Sequence, residues 1–239
     1  MMEEPIAIAI DGPSGAGKST LARRCAEAFG FWYVDTGAIY RTVGYAALER
    51  EIDRRDADAI SDMLSSVKIE LCYDENREQR MYLNTVDVSG LIRMPEVSIA
   101  ASDVSALPVV RQYLMDMQRD LARTHSVIMD GRDIGTVVLP DADLKIFLTA
   151  SAEERARRRV LQLQEKGVTA SFEEVLKDIQ YRDEQDSNRA AAPLRQAEDA
   201  VLLDTTELNF EESFAAMSQL IIERFCLNQE KTVQETHLK

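Results

Sequence analysis

Short apolar runs alternate with amphipathic stretches along most of the chain. Runs that suit strands of a buried parallel sheet lie at residues 6–10, 31–34, 127–129, 144–148 and 201–203. Three helix starts carry the capping-box pattern: Ser151 with Glu154, Ser171 with Glu174, and Asn209 with Glu212. This alternation predicts an α/β fold, a doubly wound parallel sheet of five strands with helices on both faces. In such a fold, ligands gather at the carboxyl ends of the strands.

Residues 67–88 break the alternation. They read V-K-I-E-L-C-Y, then the polar D-E-N-R-E-Q-R, then M-Y-L-N-T-V-D-V. Alternation with a period of two around a charged turn predicts an antiparallel hairpin or a three-stranded meander. We therefore expect a core at 1–62 and 99–226 with an inserted β subdomain at 63–98. A helix from Ser105 or Pro108 to Thr124 follows it, and 227–239, which have little to bury, form a disordered tail.

Residues 12–19 read G-P-S-G-A-G-K-S and lie between the first predicted strand and the first predicted helix. Glycines without a Cβ let several backbone N–H groups surround an anion, and the helix that follows points its own N–H groups at the same charge. Lys18 can reach the β and γ phosphates, and the Ser19 hydroxyl is positioned to ligate Mg²⁺. The loop predicts a bound nucleoside triphosphate but does not indicate which reaction the nucleotide undergoes.

Composition narrows the setting of this loop. The 239 residues carry a formal net charge of −14, which argues against broad binding to nucleic acid. No run of 18 apolar residues occurs, and the N-terminus is acidic, so neither a membrane span nor a secretory signal is expected. Three scattered cysteines fit a reducing compartment, and the presence of only two histidines argues against a His-based metal centre and against a Ser-His relay. We expect a cytoplasmic protein.

Two polar clusters directly follow predicted strands, where a doubly wound fold places its ligands. The first is D-T-G-A-I-Y-R at 35–41, and the second is D-G-R-D-I-G at 130–135. Taken alone, the first also fits a helix cap at Asp35 or Thr36 with Arg41 as a solvated charge. The cluster at 130–135 has two glycines and three charged residues at a strand end, and this combination favours a functional role for it.

Arginines gather in two further clusters. Arg155, Arg158 and Arg159 stand at helical spacings, and an anionic ligand would relieve their mutual repulsion. A solvated helix whose arginines pair with neighbouring glutamates is the alternative. The other cluster places three residues on one helical face: Arg182, Asp186 and Arg189.

The number of arginines bears on the acceptor. If a sugar hydroxyl accepts the phosphoryl group, a general base must remove its proton. If a second phosphate accepts it, the attacking oxygen is already an anion, and the site must instead bring two polyanions together. Guanidinium groups solve that difficulty through bidentate contacts. Scarce histidine and plentiful arginine therefore point to a nucleoside monophosphate kinase.

Together these motifs resemble the bacterial cytidylate kinase family over roughly residues 5–225. The resemblance rests on G-P-S-G-A-G-K-S-T at 12–20, D-T-G-A-I-Y-R at 35–41, V-S-x-x-A-S ending at Ser102, D-G-R-D-I-G-T-V-V at 130–138, P-D-A at 140–142, E-E-R-A-x-R-R at 153–159 and R-D-x-x-D-x-N-R at 182–189. Their order and spacing are those of the family, and the predicted hairpin resembles its enlarged monophosphate-binding insert.

The resemblance implies a role for each matched position. ATP is held by Gly12, Pro13, Ser14, Gly15, Ala16, Gly17, Lys18, Ser19 and Thr20, with a further contact from Arg158. The CMP phosphate is held by Arg41, Arg132 and Arg189, the sugar by Arg182 and Asp186, and the cytosine by Ser102, Arg111 and Asp133; Thr36 and Tyr40 belong to the same substrate site. The catalytic charges are those of Lys18, Arg132, Arg155 and Arg159, the last two on a helical lid at about 153–170 that Gly167 helps to hinge. The metal ligand is Ser19, and its acidic support is open between Asp130 and Asp35.

We therefore expect a monomeric enzyme that transfers a phosphoryl group from ATP, with Mg²⁺, to CMP and dCMP. A carboxylate at Asp133 suits cytosine because it accepts from the N4 amine, and uracil places an oxygen there. A kinase for another monophosphate such as UMP is the nearest alternative. A nucleotide-driven switch is disfavoured because no Asn-Lys pair occurs for an N-K-x-D element, and Asp87-Val88-Ser89-Gly90 lies in the predicted insert.

Overall fold

The computed structural model describes residues 4–165 and 167–226. The chain divides into two compact units, of which unit 2 is Tyr33–His125 and unit 1 takes the described residues up to Trp32 and from Ser126 onward. The predicted tail at 227–239 lies outside the described residues. Within the described part of the chain, no helix is both long and apolar enough to span a bilayer.

The elements alternate in type as the apolar runs predict. In chain order they are β1 (Ala7–Asp11), α1 (Lys18–Phe29), β2 (Trp32–Asp35), α2 (Thr36–Glu49), α3 (Ala57–Ser66), β3 (Ile69–Tyr73), β4 (Gln79–Leu83), β5 (Val86–Asp87), α4 (Pro95–Ser105), α5 (Pro108–Thr124), β6 (Val127–Gly131), β7 (Leu144–Thr149), α6 (Ala152–Glu165), α7 (Phe172–Ser187), β8 (Val201–Asp204) and α8 (Phe210–Phe225). Short helical turns occur at Leu91–Arg93, of 3-10 type, and at Ile134–Val138, of π type.

The main sheet has five strands in the order β2-β6-β1-β7-β8. β1 runs parallel to both neighbours, with Ile8 opposite Ile128 on one side and Leu144 on the other. The central strands are buried on both faces, which explains their continuous apolar runs. β2 begins at Trp32, whose N–H donates to the Ser126 carbonyl at 2.8 Å. The predicted fold class is confirmed.

A second, antiparallel sheet of three strands lies in unit 2, in the order β3-β4-β5. Leu71 lies opposite Met81, and Leu83 lies opposite Val86. Asn84 and Thr85, both with positive φ, make the tight turn between β4 and β5. The structure therefore contains the meander, one of the two forms that the sequence left open. These strands fall within the predicted insert at 63–98, whose limits stay a prediction, as do those of the core.

The predicted helix caps form in unit 1. Asn209 and Glu212 make a reciprocal box, in which the Asn209 N–H donates to the Glu212 carboxylate at 2.9 Å and the Glu212 N–H donates to the Asn209 side chain at 3.0 Å. The Ser171 hydroxyl accepts from the Glu174 N–H at 3.1 Å, and Ser151 accepts from that of Glu154 at 3.2 Å. These caps fix where α6, α7 and α8 begin.

The helices α6 and α7 share a small apolar core of their own. Ala156, Val175 and Ile179 are buried at its centre. The connection between the two helices includes Gly167 at φ 72, a left-handed conformation that favours glycine. The predicted lid at about 153–170 covers α6 and this connection, and its movement stays a prediction.

Gly44 lets α2 and α4 approach closely within unit 2. A Cβ at this position would lie 2.8 Å from the Ala101 nitrogen and 3.0 Å from the Ala100 carbonyl carbon. Backbone atoms of a packed helix cannot move aside as a flexible side chain can. The contact fixes Tyr40 and Arg41, on α2, relative to Ser102, on α4.

Gly44→Ala should destabilise the protein by about 1–3 kcal/mol, because overpacking outweighs the better helix propensity of alanine. Urea unfolding followed by circular dichroism measures the change. Gly90→Ala is the matched control, since Gly90 has φ −75 and a Cβ there would meet nothing within 4 Å. Equal midpoints for the two variants would contradict the proposed close contact.

Candidate functional site

The phosphate loop connects β1 to α1 in unit 1. Gly12, Gly15 and Gly17 have φ values of 149, 78 and 90. A Cβ at Gly12 would lie 1.9 Å from the Leu148 carbonyl oxygen, so β7 itself excludes a side chain there. These positions need glycine because the backbone must turn sharply while its N–H groups stay available to an anion.

Lys18 is buried at the first turn of α1. Its Nζ donates to the carbonyl oxygens of Gly12 and Pro13, both at 2.8 Å. Burial, joined by the nearby positive charge of Arg132, lowers the pKa of Lys18 from 10.5 to about 7, against the opposing effect of neighbouring carboxylates. The lysine is therefore held against the loop, and its pKa lies close to neutral pH.

Ser19 contacts Asp130 at the carboxyl end of β6. The Ser19 hydroxyl donates to the Asp130 Oδ2 at 2.8 Å, and Asp130 is buried. Asp35, the other carboxylate that the sequence left open, caps α2 by accepting from the Ala38 N–H at 2.9 Å. Among the described residues no group of three or more His, Cys, Asp or Glu could hold a metal ion. In unit 1, Ser19 and Asp130 thus offer two neighbouring oxygen ligands to a cation that a bound phosphate would also coordinate.

Asp11 is a site residue that the sequence reasoning missed. It ends β1, and its carboxylate accepts from the N–H groups of Ile134 and Gly135, both at 2.7 Å. Burial raises the pKa of Asp11 from 3.8 to about 6, although the two N–H donors act in the opposite direction. A carboxylate between an apolar strand and a glycine loop was a visible signal, but its partners follow residue 130 and could not be identified from spacing.

The bonds to Asp11 fix the π turn at Ile134–Val138, which Asp133 precedes. Asp133 is 4% exposed and has φ −146 and ψ 27. Single π turns are rare and are often found at functional sites. The backbone on which the predicted cytosine reader stands is therefore anchored to the residue just before the phosphate loop.

Asp186 gathers two of the predicted phosphate-binding arginines. Its Oδ2 accepts from Arg132 Nε at 2.7 Å, and its Oδ1 accepts from Arg189. The predicted common helical face is wrong for Arg189, because α7 ends at Ser187 and Arg189 reaches back to Asp186 from beyond the helix. Arg182 lies on α7 one turn before Asp186 and is exposed.

Of the four arginines of α6, the three that the sequence grouped by helical spacing contact different partners. Arg155 is buried and bound to Asp183 and to the Ser14 carbonyl. Arg158 donates to the carbonyl oxygens of Thr205 and Leu208 at 2.6 and 3.2 Å. Arg159 is exposed and donates to the Gln162 side chain at 3.2 Å. The guanidinium groups do not form the single cluster that their spacing suggested, and their contacts with phosphate stay predictions.

Unit 2 carries the remaining predicted substrate residues. Arg41 donates to Asp35 Oδ2 at 2.8 Å, and a Cβ at Gly37 would lie 3.0 Å from Arg41 Nη1, so the glycine makes room for the guanidinium. Arg111 is buried, lies 5.8 Å from the centre of the Tyr40 ring and donates to the Ser105 carbonyl at 3.4 Å.

The predicted substrate residues thus fall into two sets. Unit 2 holds Thr36, Tyr40, Arg41, Ser102 and Arg111, with Thr36 buried at the start of α2 and Ser102 exposed on α4. Unit 1 holds Arg132, Asp133, Arg182, Asp186 and Arg189, together with the phosphate loop. Within unit 1, Asp186 joins Arg132 to Arg189, and Asp11 fixes the backbone beside Asp133.

Comparison with known proteins gives a consistent result. The profile of the family described as cytidylate kinase matches residues 8–223. A cytidylate kinase of Exiguobacterium sp. is 48% identical over 222 residues, which are 93% of this chain and 99% of that protein. A cytidylate kinase of Carboxydothermus hydrogenoformans is 50% identical over 214 residues, covering 90% of this chain and 96% of the relative.

Among solved structures, an uncharacterized protein from Eubacterium ventriosum ATCC 27560 superposes with a TM-score of 0.50. The match covers 93% of this chain and 99% of the other, at 12% sequence identity. At this identity the likeness concerns the fold alone.

Binding of a nucleoside diphosphate at pH 8 should take up close to one proton per site. Lys18, with a pKa of about 7, is mostly neutral at that pH in the free protein, and a bound polyanion raises its pKa by favouring the charged form. Titration calorimetry of ADP in two buffers of different ionisation enthalpy measures the uptake. Lys18→Arg, which stays charged throughout, should bind ADP without it, and equal heats for the wild-type protein in both buffers would contradict the assignment.

Proposed function

The chain belongs to the cytidylate kinase family, and on that premise we propose how its residues transfer the terminal phosphoryl group of ATP to CMP and dCMP, forming ADP and the corresponding diphosphates. The observation that carries the mechanism is the buried Lys18 on the carbonyl groups of a phosphate loop whose Ser19 is bound to Asp130. A kinase for another monophosphate such as UMP is not favoured by the comparisons.

The donor half of the reaction is assigned to residues 12–20. Backbone N–H groups of the loop and of the first turn of α1 bind the ATP phosphates, with the positive end of the helix directed at them. Lys18, which the carbonyls of Gly12 and Pro13 hold against the loop, neutralises the charge that develops on the transferred group. Because its pKa lies near neutrality when no anion is bound, the lysine becomes fully charged when the phosphates arrive.

Mg²⁺ fits the Ser19 and Asp130 oxygens. This cation takes few protein ligands, prefers oxygen, and shares its coordination with phosphates and water. A hydroxyl bound to a buried carboxylate supplies such a donor set. When bound, the ion would neutralise charge on the β and γ phosphates.

The acceptor half needs charge neutralisation and no general base, because the attacking oxygen of CMP is already anionic. We assign Arg41, Arg132 and Arg189 to the CMP phosphate. In the structure each is paired with a carboxylate, Arg41 with Asp35 and the other two with Asp186. Such pairs hold the guanidinium groups in fixed positions, and this preorganisation reduces the cost of binding an anion.

The sugar is assigned to Arg182 and Asp186, and Thr36 and Tyr40 are assigned to the substrate site. Ser102, Arg111 and Asp133 are assigned to cytosine. Support comes from the rigidity of the last two: Arg111 is buried against Tyr40, and Asp133 stands on a backbone that Asp11 anchors. A buried carboxylate that accepts from the N4 amine would be left facing an oxygen in UMP, which is a strong ground for discrimination.

The helix α6 and the connection to α7 are assigned to a lid that excludes water during transfer. Arg159 is the exposed one of the three arginines grouped by helical spacing and is assigned to a phosphate; Arg158 is assigned to the ATP phosphates as well. We further propose that the enzyme is a monomer in the cytoplasm and acts on small molecules. The net charge of −14 supports that choice over nucleic acid.

The activity is tested by measuring ADP release from MgATP with CMP, dCMP, UMP, AMP and GMP in turn. Turnover should be confined to the two cytidine nucleotides, and omission of Mg²⁺ should abolish it. Comparable turnover with UMP would refute the assigned specificity, and ATP hydrolysis that ignores every monophosphate would refute the kinase assignment.

Asp133→Asn should lower kcat/KM for CMP by about 10- to 100-fold, since a hydrogen bond between a charged group and the N4 amine is lost. UMP turnover should fall much less, so the CMP to UMP preference should narrow. The same coupled assay measures both. Asp62→Asn, at an exposed position of α3, is the matched control. An unchanged preference in Asp133→Asn would remove this residue from base recognition.

A further inference from the structure

The Arg155 side chain is enclosed by protein groups. It is 4% exposed, and its Nε donates to the Ala150 carbonyl at 2.9 Å. Nη1 donates to the Ser14 carbonyl and to Asp183 Oδ1, both at 2.9 Å, and Nη2 donates to Asp183 Oδ2 at 2.6 Å. These bonds use four of the five N–H groups that a guanidinium possesses.

We propose that Arg155 is a positioning residue that ties the phosphate loop to α7, and that it contributes to phosphoryl transfer in this way and not by contacting a phosphate. The proposal rests on the proposed kinase reaction. It replaces the catalytic contact that the spacing of the α6 arginines predicts for this residue.

The first argument concerns the direction of the loop peptides. Lys18 binds the carbonyls of Gly12 and Pro13, and Arg155 binds the next carbonyl, that of Ser14. In a trans planar peptide a carbonyl and the following N–H point in opposite directions. Holding the Ser14 carbonyl towards Arg155 therefore directs the Gly15 N–H to the opposite side, away from Arg155. The bond to Arg155 sets one donor of the phosphate-binding loop.

The second argument concerns α7. Asp183, which takes the bidentate contact, lies three residues before Asp186, and Asp186 holds Arg132 and Arg189. A fork-to-fork contact fixes orientation as well as distance. By holding α7, Arg155 places the carboxylate that organises these two arginines in a defined position relative to the ATP-binding loop.

The third argument concerns packing. A Cβ at Gly15 would lie 3.6 Å from the Arg155 Cβ and 4.0 Å from Ile179 Cδ1, so α6 and α7 lie directly against the loop. Ile179 belongs to the apolar core that joins the two helices. Arg155 thus leaves α6 where that helix and α7 are packed together against the loop, which is typical of a structural anchor and not of a mobile phosphate contact.

Breaking the anchor from either end tests the proposal. Asp183→Asn and Arg155→Lys should each lower kcat/KM for ATP by about 10- to 100-fold, in line with the loss of a charged bidentate contact. The double variant should be no worse than the more damaging single variant, because both remove the same anchor. Asp183→Glu, which keeps the carboxylate, should recover most of the loss. Steady-state ADP formation from MgATP and CMP gives kcat and KM, and thermal melting of each variant gives its stability.

Asp120→Asn is the control, because it breaks an exposed Arg–Asp pair with Arg123 on α5 and should leave kcat/KM unchanged. If Arg155 instead contacts phosphate, Asp183→Asn will keep or exceed wild-type activity while Arg155→Lys loses most of it, and the proposal fails. A lowered melting temperature with unchanged kcat/KM for ATP in Asp183→Asn would also refute it. Wild-type protein that forms no ADP with CMP would refute the proposed function itself.

Discussion

The orientation of the peptide groups in the phosphate loop is the constraint on which the rest of unit 1 depends. An anion can be bound by backbone N–H groups only if the carbonyls of the same peptides are turned away and satisfied elsewhere. Lys18 and Arg155 satisfy three consecutive carbonyls, and Gly12 allows the chain to pass within contact of β7. The two cations that bind these carbonyls therefore orient the loop for anion binding together with its glycines.

Carboxylates organise the positive groups in both units. Asp186 holds Arg132 and Arg189, Asp183 holds Arg155, and Asp35 holds Arg41. In a protein with a net charge of −14, these pairs hold each guanidinium in a defined position and offset part of its charge. The acidic excess opposes nonspecific binding of polyanions, while the paired arginines remain available to a small ligand that makes bidentate contacts.

The features of the molecule that depend on residues close together in the chain could be predicted from the sequence. The loop at 12–19, the apolar strands, the capping residues such as Asn209 and the charged turn between β3 and β4 depend on neighbours a few residues away. The bond of Asp11 to Ile134 and that of Arg155 to the Ser14 carbonyl could not be predicted, because each joins residues more than a hundred positions apart and depends on the packing of the sheet and of α6 on α7. Helical spacing grouped Arg155 with Arg159, but tertiary burial separated them.

Lysine and arginine solve the same electrostatic problem in different ways. Before nucleotide binds, a cluster of buried cations would repel itself. Lys18 can lose its proton, and burial brings its pKa to about 7, so its charge need not be carried in the free protein. Arginine cannot deprotonate, so Arg132 and Arg189 share the single carboxylate of Asp186 instead. In the reaction that we propose, bound phosphate supplies further negative charge: the lysine regains its proton, and the two arginines gain a second anionic partner. The full positive charge of Lys18 is then present only while nucleotide is bound, which lowers the electrostatic cost of the folded protein without substrate.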